Sequence, residues 1–292
     1  MDYSNCTLCP RMCGVDRTQG QQGVCRCPDT ALVAKTMIHK WEEPALAGAG
    51  GSGAVFFGGC TLRCRYCQNG AISSGPVGTP MDPGQLRQAM EALICQGAEN
   101  IDLVTPTQFL PTLIPALSPK LPVPVVYNCG GYERVETLRA LEGRVDIYLP
   151  DLKYADGALA GALSGAPDYF PVACDAIREM FRQTGRPVYD ENGVMQRGVI
   201  VRHLVLPGYP DNTRRVLDWL SETFAPGDVV VSLMSQYTPP AGMTGRLARR
   251  VTAAEYRAAV AYMRACGITD GFVQERTSAE EAYTPAFDGT GV

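Results

Sequence analysis

The sequence predicts an α/β protein built as a partial (β/α)6 TIM-like barrel with a cysteine-rich N-terminal extension. Short runs rich in Val and Ile, typical of strands buried on both faces, alternate with amphipathic stretches about six times. Such an alternation indicates parallel strands joined by right-handed crossovers. The unusual polar residues follow directly after the apolar runs, which is where barrel enzymes carry their functional side chains.

The predicted strands and helices follow from the pattern of apolar residues. Asp82 followed by Pro83 predicts a helix start, with an N-cap and a proline at the first helical position. Further helices are predicted from Asp211 and over residues 252–265 by their apolar spacing. Residues 31–38 are a possible first strand, and the barrel strands are predicted at Ala54–Phe57, Ile101–Val104, Val123–Tyr127, Val145–Leu149, Val199–Leu206, Val229–Leu233 and Gly271–Val273.

The length of 292 residues suits one main domain with appendages. We expect a cysteine-rich metal-binding segment at residues 1–28, the barrel at residues 29–275, and a C-terminal tail at residues 276–292. The tail is expected to fold back over the barrel mouth, because the aromatic side chains of Tyr283 and Phe287 could dock a segment without regular structure. Its Gly, Thr and Pro residues equally suit a loose end.

Composition excludes several functional classes. The net charge is −4 and no block of like charges appears, so a nucleic-acid partner is not expected. The chain has no apolar run near the roughly 18 residues of a membrane span. Its N-terminus lacks the apolar core of a signal peptide, so we expect a cytoplasmic protein without a membrane partner. In that compartment, 12 cysteines favour metal binding over disulfides.

Cys60, Cys64 and Cys67 form a C-x3-C-x2-C pattern directly after an apolar run and two glycines. Three thiolates from one loop can hold three irons of a [4Fe–4S] cluster and leave the fourth iron open to an external ligand. A structural zinc site needs four ligands in a closed set, and the two histidines, His39 and His203, are distant in sequence. The loop therefore predicts an iron–sulfur cluster.

The N-terminal segment carries a second group of cysteines, Cys6, Cys9, Cys13 and Cys25, with Cys27 close by. Four thiolates could close a tetrahedral zinc site or hold a second [4Fe–4S] cluster, and the residues leave both alternatives open. The segment is too short to bury a hydrophobic core of its own. We therefore expect a bound accessory metal to stabilise its folded conformation.

The cysteine loop resembles that of the radical S-adenosylmethionine superfamily. More of the chain is similar to an uncharacterised family related to pyruvate formate-lyase activating enzyme. The resemblance implies a partial (β/α)6 barrel, a [4Fe–4S] cluster and reductive cleavage of S-adenosylmethionine. It also favours Cys25 over Cys27 in the N-terminal group. The similar segments are CTLCPRMCGVDR, HKWEEP, GSGAVFFGGCTLRCRYCQN, LVTPTQF, YLPDLKY, VRHLVLPG and SQYTP.

The resemblance further implies cofactor contacts for particular side chains. Tyr66 occupies an aromatic position near the adenine, and Asn128 belongs to a segment beside the cofactor. Asp151 is implied to serve the ribose of S-adenosylmethionine, and Lys153 and His203 its carboxylate. Considered without the resemblance, Asp151 and Lys153 could be a structural ion pair and His203 a structural histidine.

The function implied by the resemblance is the formation of a 5′-deoxyadenosyl radical that abstracts hydrogen from a substrate. The substrate could be a glycyl-radical enzyme that the protein activates, or else a small molecule or peptide. A flavodoxin- or ferredoxin-like protein is the expected electron donor. An iron–sulfur electron carrier without radical chemistry is a weaker alternative, because a carrier needs no cofactor pocket.

Overall fold

An open and mostly parallel sheet forms the centre of the protein, of which residues 2–274, 287 and 291–292 are described by a computed structural model. The strands are β1 (Ala31–His39), β2 (Ser52–Phe57), β3 (Thr79–Met81), β4 (Asn100–Val104), β5 (Val125–Cys129), β6 (Ile147–Pro150), β7 (Val188–Tyr189), β8 (Met195–Leu204), β9 (Val230–Met234) and β10 (Phe272–Val273). They are ordered β10-β9-β8-β6-β5-β4-β2-β1-β3, with β7 paired to β8. All neighbours from β2 to β10 along this order are parallel, and β1 and β3 add an antiparallel edge. The predicted partial barrel is confirmed.

The helices lie between the strands as the alternation predicts. They are α1 (Pro44–Ala47), α2 (Gly70–Ser73), α3 (Pro83–Cys95), α4 (Leu110–Ala116), α5 (Val135–Arg139), α6 (Gly157–Ser164), α7 (Tyr169–Thr184), α8 (Pro210–Thr223) and α9 (Ala253–Ala265). The predicted cap of α3 is confirmed, because the Asp82 carboxylate accepts from the backbone N–H of Gln85 at 2.9 Å. The Gln85 side chain in turn accepts from the backbone N–H of Asp82, which completes a capping box. Among the described residues, no helix is both long and apolar enough to cross a membrane.

The two faces of the sheet are covered differently. Successive side chains of a strand point to opposite faces, so Tyr127 and Val126 of β5 belong to separate hydrophobic clusters. Tyr127 lies on the face covered by the long helices. Val126 lies on the barrel interior, where Ala45 and Leu46 of α1 pack against it. The short helix α1, which directly precedes β2 in the chain, therefore fills part of the barrel interior.

The N-terminal segment is held against the loops that follow the parallel strands. The Arg11 side chain donates from Nε to the Thr61 carbonyl at 2.9 Å. The Arg134 side chain donates from Nη1 to the Thr7 carbonyl at 2.6 Å. Thr61 follows β2 and Arg134 follows β5, so the segment docks at the carboxyl end of the sheet. The three-part division of the chain stays a prediction.

The described part of the C-terminal tail contacts the edge of the barrel interior. The ring of Phe287 packs edge-on against Phe56 of β2, with the ring centroids 5.5 Å apart. The hydroxyl of Thr36 in β1 donates to the Gly291 carbonyl. Tyr283 lies outside the described residues. Closure of the barrel mouth by the tail stays a prediction.

Candidate active site

The cysteine loop begins directly after β2, at the carboxyl end of the sheet. Gly59 has φ 72° and Arg63 has φ 51°, and these left-handed conformations turn the chain sharply. Burial, and after it the neighbouring charges of Cys64 and Cys67, raise the pKa of the Cys60 thiol to about 12. The three thiols are therefore close enough to repel one another once ionised. Binding to iron offsets this repulsion, because a metal ion holds its thiol ligands deprotonated.

Hydrogen-bond donors also point at the sulfur atoms of this loop. The backbone N–H of Leu62 donates to Cys60 Sγ at 3.4 Å, and the hydroxyl of Ser164 donates to Cys64 Sγ at 2.9 Å. Donors of this kind stabilise thiolate ligands and tune an iron–sulfur cluster. Within the described residues, no three His, Cys, Asp or Glu side chains are spaced to hold a single metal ion. The loop thus combines three thiols with hydrogen-bond donors suited to thiolate ligands.

A polar network lies on the barrel interior at the carboxyl ends of three neighbouring strands. Arg202 of β8 donates from Nε to Asp151 Oδ1 at 2.9 Å and from Nη2 to Asn128 Oδ1 at 2.6 Å. The ammonium group of Lys153 donates to Asp151 Oδ2. Burial opposes ionisation of Asp151, but the charges of Arg202 and Lys153 outweigh it and lower the pKa of this carboxyl. Asp151 is therefore a stable carboxylate between two cations.

Lys153 connects this network to the cysteine loop. Its positive charge lowers the pKa of Cys67, although burial raises that pKa overall. The Cys64 thiol and the Asp151 carboxylate raise the pKa of Lys153 against the opposing effect of burial. The same ammonium group therefore interacts with an interior carboxylate and with two of the loop cysteines.

The placement of His203 does not agree with the expectation that it faces the cofactor. Its side chain lies on the helix-covered face, where Nδ1 donates to the Leu152 carbonyl at 2.6 Å and Nε2 accepts from the Thr213 hydroxyl of α8 at 3.0 Å. Burial lowers the pKa of His203 to about 4, so the ring is neutral. The reason is the alternation of β8: Arg202 pairs with Asp151 on the interior, and the next residue must point the other way.

Three interior carboxyl groups were missed by sequence reasoning. Asp102 of β4 accepts from Asn128 Nδ2 at 3.2 Å, and Glu42 accepts from Arg202 at 3.5 Å. Glu43 accepts from the Ser232 hydroxyl of β9 at 2.9 Å. Asp102 had a signal, because a charged residue within an otherwise apolar strand is unusual. The signal of the two glutamates was the polar segment HKWEEP, which lies close to the cysteine loop in sequence and could cover it.

Tyr66, expected near the adenine, is buried directly before the last cysteine of the loop. Its ring packs against Tyr154 and Tyr237, with centroid distances of 6.3 Å and 6.0 Å. Its position at the carboxyl end of the sheet is compatible with an adenine contact. That role stays a prediction.

The predicted N-terminal cysteines come together around one small pocket, to which Cys6, Cys9, Cys13 and Cys25 all contribute. Cys27 lies outside this pocket, fully buried, and its thiol donates to the Cys25 carbonyl at 3.4 Å. A hydrogen bond from Cys27 lowers the pKa of the Cys25 thiol. Cys27 is thus not part of the pocket lining but is hydrogen-bonded to Cys25, and the metal of this pocket stays a prediction.

Glu133 is a buried carboxyl group on the other face of the sheet. It accepts from the Thr107 hydroxyl at 2.8 Å and from the Tyr127 hydroxyl at 3.4 Å. Burial raises its pKa to about 8 despite these hydrogen bonds. The folded protein therefore retains this proton at pH values where the unfolded chain, with a pKa near 4.5, has lost it.

We expect Glu133→Gln to remove a pH-dependent loss of stability. A raised folded-state pKa stabilises the fold fully below about pH 4.5, and this contribution falls by up to about 1.4 kcal/mol per pH unit until pH 8. The amide cannot ionise, so the variant should gain stability relative to the wild type between pH 5 and pH 8. Urea denaturation of the metal-free proteins measures this difference. Glu222→Gln, an exposed change on α8, is the control, and parallel pH curves for Glu133→Gln and wild type would contradict the assignment.

Comparisons with known proteins agree with this site. Residues 46–106, which span β2, the cysteine loop and β4, match the family model of a 4Fe-4S single cluster domain. This match includes the whole cysteine loop, Cys60 to Cys67. The uncharacterized protein MJ0674 of Methanocaldococcus jannaschii is 29% identical over 248 residues, covering 81% of this chain and 67% of the relative.

Solved structures with the same fold include SuiB from Streptococcus suis. The structure bound to S-adenosylmethionine has a TM-score of 0.52 at 13% identity, covering 74% of this chain and 48% of SuiB. The structure bound to the precursor peptide SuiA has a TM-score of 0.52 at 14% identity, covering 76% and 48%. The chain therefore spans about half the length of SuiB. At this identity the likeness establishes the fold.

Proposed function

We propose that this protein is a radical S-adenosylmethionine enzyme. The observation that carries the proposal is the position of Lys153, which pairs with Asp151 on the barrel interior. Its side chain lies next to Gly130, as does that of Leu62 from the cysteine loop. A cofactor that binds both a cluster and the protein needs this juxtaposition of thiolates with charged side chains. The match of residues 46–106 to a 4Fe-4S cluster domain supports the proposal. So does the shared fold with SuiB, which has been determined bound to S-adenosylmethionine.

The residues present fit both groups. Cys60, Cys64 and Cys67 would hold three irons of a [4Fe–4S] cluster, and the absence of a fourth loop thiol leaves one iron for the cofactor. When bound, the reduced cluster supplies the electron that cleaves S-adenosylmethionine to methionine and a 5′-deoxyadenosyl radical. Asp151 offers an ionised acceptor suited to the ribose hydroxyls, and Lys153 offers a cation suited to the methionine carboxylate.

Arg202 and Asn128 complete the proposed cofactor site. Arg202 binds the Asp151 and Asn128 side chains at once, so it fixes the orientation of both acceptors before the cofactor arrives. Such preorganisation reduces the entropy lost on binding. These four side chains are largely buried, which limits the access of water to a reactive intermediate. Exclusion of water favours hydrogen abstraction from the substrate over side reactions.

The test of this function is anaerobic reconstitution with iron and sulfide, followed by incubation with dithionite and S-adenosylmethionine. We expect equimolar methionine and 5′-deoxyadenosine, and neither product without the reductant. A flavodoxin- or ferredoxin-like protein should replace dithionite as electron donor. A fully loaded cluster that neither binds S-adenosylmethionine nor yields 5′-deoxyadenosine would instead favour an iron–sulfur electron carrier.

Candidate substrates enter the same assay as separate arms. A glycyl-radical enzyme should acquire an organic radical signal in electron paramagnetic resonance if the protein is an activase. A small molecule or peptide that is the substrate should instead, when labelled with deuterium, transfer deuterium to 5′-deoxyadenosine. SuiB, which has been determined bound to its precursor peptide SuiA, supports including peptides among these arms.

A further inference from the structure

Arg17 is a buried cation next to the N-terminal cysteines. Its side chain is 2% exposed, and Nη1 donates to the Gln108 carbonyl at 2.7 Å. Its Nε is buried without a hydrogen-bond partner. Among the residues that the structure describes, no carboxylate forms an ion pair with this guanidinium group. The guanidinium group also donates from Nη2 to the Pro28 carbonyl and lies over the Tyr3 ring, 4.4 Å from its centroid. These neutral partners solvate the buried cation, and a nearby anion would add the counter-charge that they lack.

The nearest groups that can become anionic are thiols. Arg17 lines the same pocket as the four cysteines of the N-terminal segment, and its Nη1 lies 3.9 Å from Cys6 Sγ. The backbone N–H of Val24 points at Cys13 Sγ at 3.4 Å. A cationic donor and a backbone donor aimed at sulfur atoms are suited to thiolates, and thiols lose their protons when they ligate a metal. The pocket is therefore built to receive a metal centre with a net negative charge.

Two kinds of metal centre can use four thiol ligands, a single zinc ion and a [4Fe–4S] cluster. Zinc would draw all four sulfur atoms to about 2.3 Å from one point. No three of the described His, Cys, Asp or Glu side chains are spaced in that way. The same is true of Cys60, Cys64 and Cys67, which fall within the match to a 4Fe-4S cluster domain. A cluster lies between its ligands and holds their sulfur atoms farther apart than one ion does.

We propose that Cys6, Cys9, Cys13 and Cys25 hold a second [4Fe–4S] cluster, with every iron ligated by the protein and Arg17 as its counter-charge. The pocket adjoins the first cysteine loop, because Thr61 of that loop lines it and is bound by Arg11. The second cluster is thus in a position to exchange electrons with the first. Because it has no open iron, it does not bind S-adenosylmethionine.

The test uses the full-length variant in which Cys60, Cys64 and Cys67 are all replaced by Ala. After anaerobic reconstitution, we expect about four irons per chain and a reduced-cluster signal in electron paramagnetic resonance that S-adenosylmethionine does not change. Adding Cys9→Ala to this variant should eliminate the signal. Adding Cys174→Ser should retain it, because Cys174 is a buried thiol of α7 that lies outside the pocket.

Three outcomes would overturn the proposal. The first is about one zinc and no iron in the triple variant, which identifies a structural zinc site. The second is a triple variant that keeps the wild-type circular dichroism spectrum without binding any metal. The third is an unchanged iron content after Cys9→Ala. Production of 5′-deoxyadenosine by the wild type is measured separately, so failure of this proposal is distinguishable from failure of the proposed enzyme function.

Discussion

Replacing Cys64 by alanine is expected to reduce 5′-deoxyadenosine formation more than about 100-fold. Loss of a group that only supports a metal ligand already lowers activity about 10–100-fold, and Cys64 is a proposed ligand itself. With two thiolates the loop cannot hold three irons. The change that S-adenosylmethionine produces in the cluster signal should disappear together with the product. Rapid-quench chromatography of the reaction and electron paramagnetic resonance of the reduced protein measure the two effects.

Cys95→Ala is the matched control for this experiment. Cys95 ends α3 and is exposed. It lies outside both cysteine groups, so the variant should form 5′-deoxyadenosine at the wild-type rate. Equal activity of Cys64→Ala and Cys95→Ala would show that the loop does not hold the catalytic cluster.

Replacing Arg202 by glutamine is expected to weaken S-adenosylmethionine binding at least tenfold, or about 1.4 kcal/mol, without changing the iron content. The variant leaves the Asp151 carboxylate without one of its two cations and Asn128 Oδ1 without its guanidinium donor. Truncating one partner of a buried, hydrogen-bonded charge pair typically costs about 2–5 kcal/mol. Lys153→Ala removes the other cation and should weaken binding to a similar extent. Anaerobic titration of the cluster signal with S-adenosylmethionine measures the affinity.

His203→Gln is the informative comparison, because His203 and Arg202 are adjacent in sequence and face opposite sides of the sheet. The variant disturbs hydrogen bonds to Leu152 and Thr213, so it should lower the free energy of unfolding by about 1–3 kcal/mol. The affinity of the folded variant for S-adenosylmethionine should stay close to wild type. Weaker binding in His203→Gln together with unchanged binding in Arg202→Gln would reverse the assignment of the two side chains.

The local sequence pattern was sufficient for features that depend on neighbouring residues. The cap of α3 follows from Asp82 and Pro83, since capping is completed within one helical turn. The strands follow from short apolar runs, because a strand in a parallel sheet is buried on both faces. The cysteine loop is also local: its three thiols are brought together by a turn of eight residues, Cys60 to Cys67, whatever the rest of the chain does.

The choice between Arg202 and His203 required the tertiary structure. A strand offers its residues alternately to two faces, and which residue faces inward depends on how β8 pairs with β6 and β9. A shift of one residue in that pairing would exchange the two side chains. The sequence analysis selected His203, but the hydrogen-bonded register places Arg202 on the interior.

The two groups of cysteines also differ in how much the local sequence predicts and how much the tertiary structure adds. The spacing of Cys60, Cys64 and Cys67 predicts a cluster from the sequence by itself, because the three thiols come from one loop. The proposal for the N-terminal group also depends on Arg17, whose buried guanidinium group has no carboxylate partner among the described residues, and this could be recognised only in the folded chain. Burial and the absence of a counter-charge are properties of packing between distant segments. No periodicity or spacing in the sequence encodes them locally, so only the tertiary structure decided which residues surround that pocket.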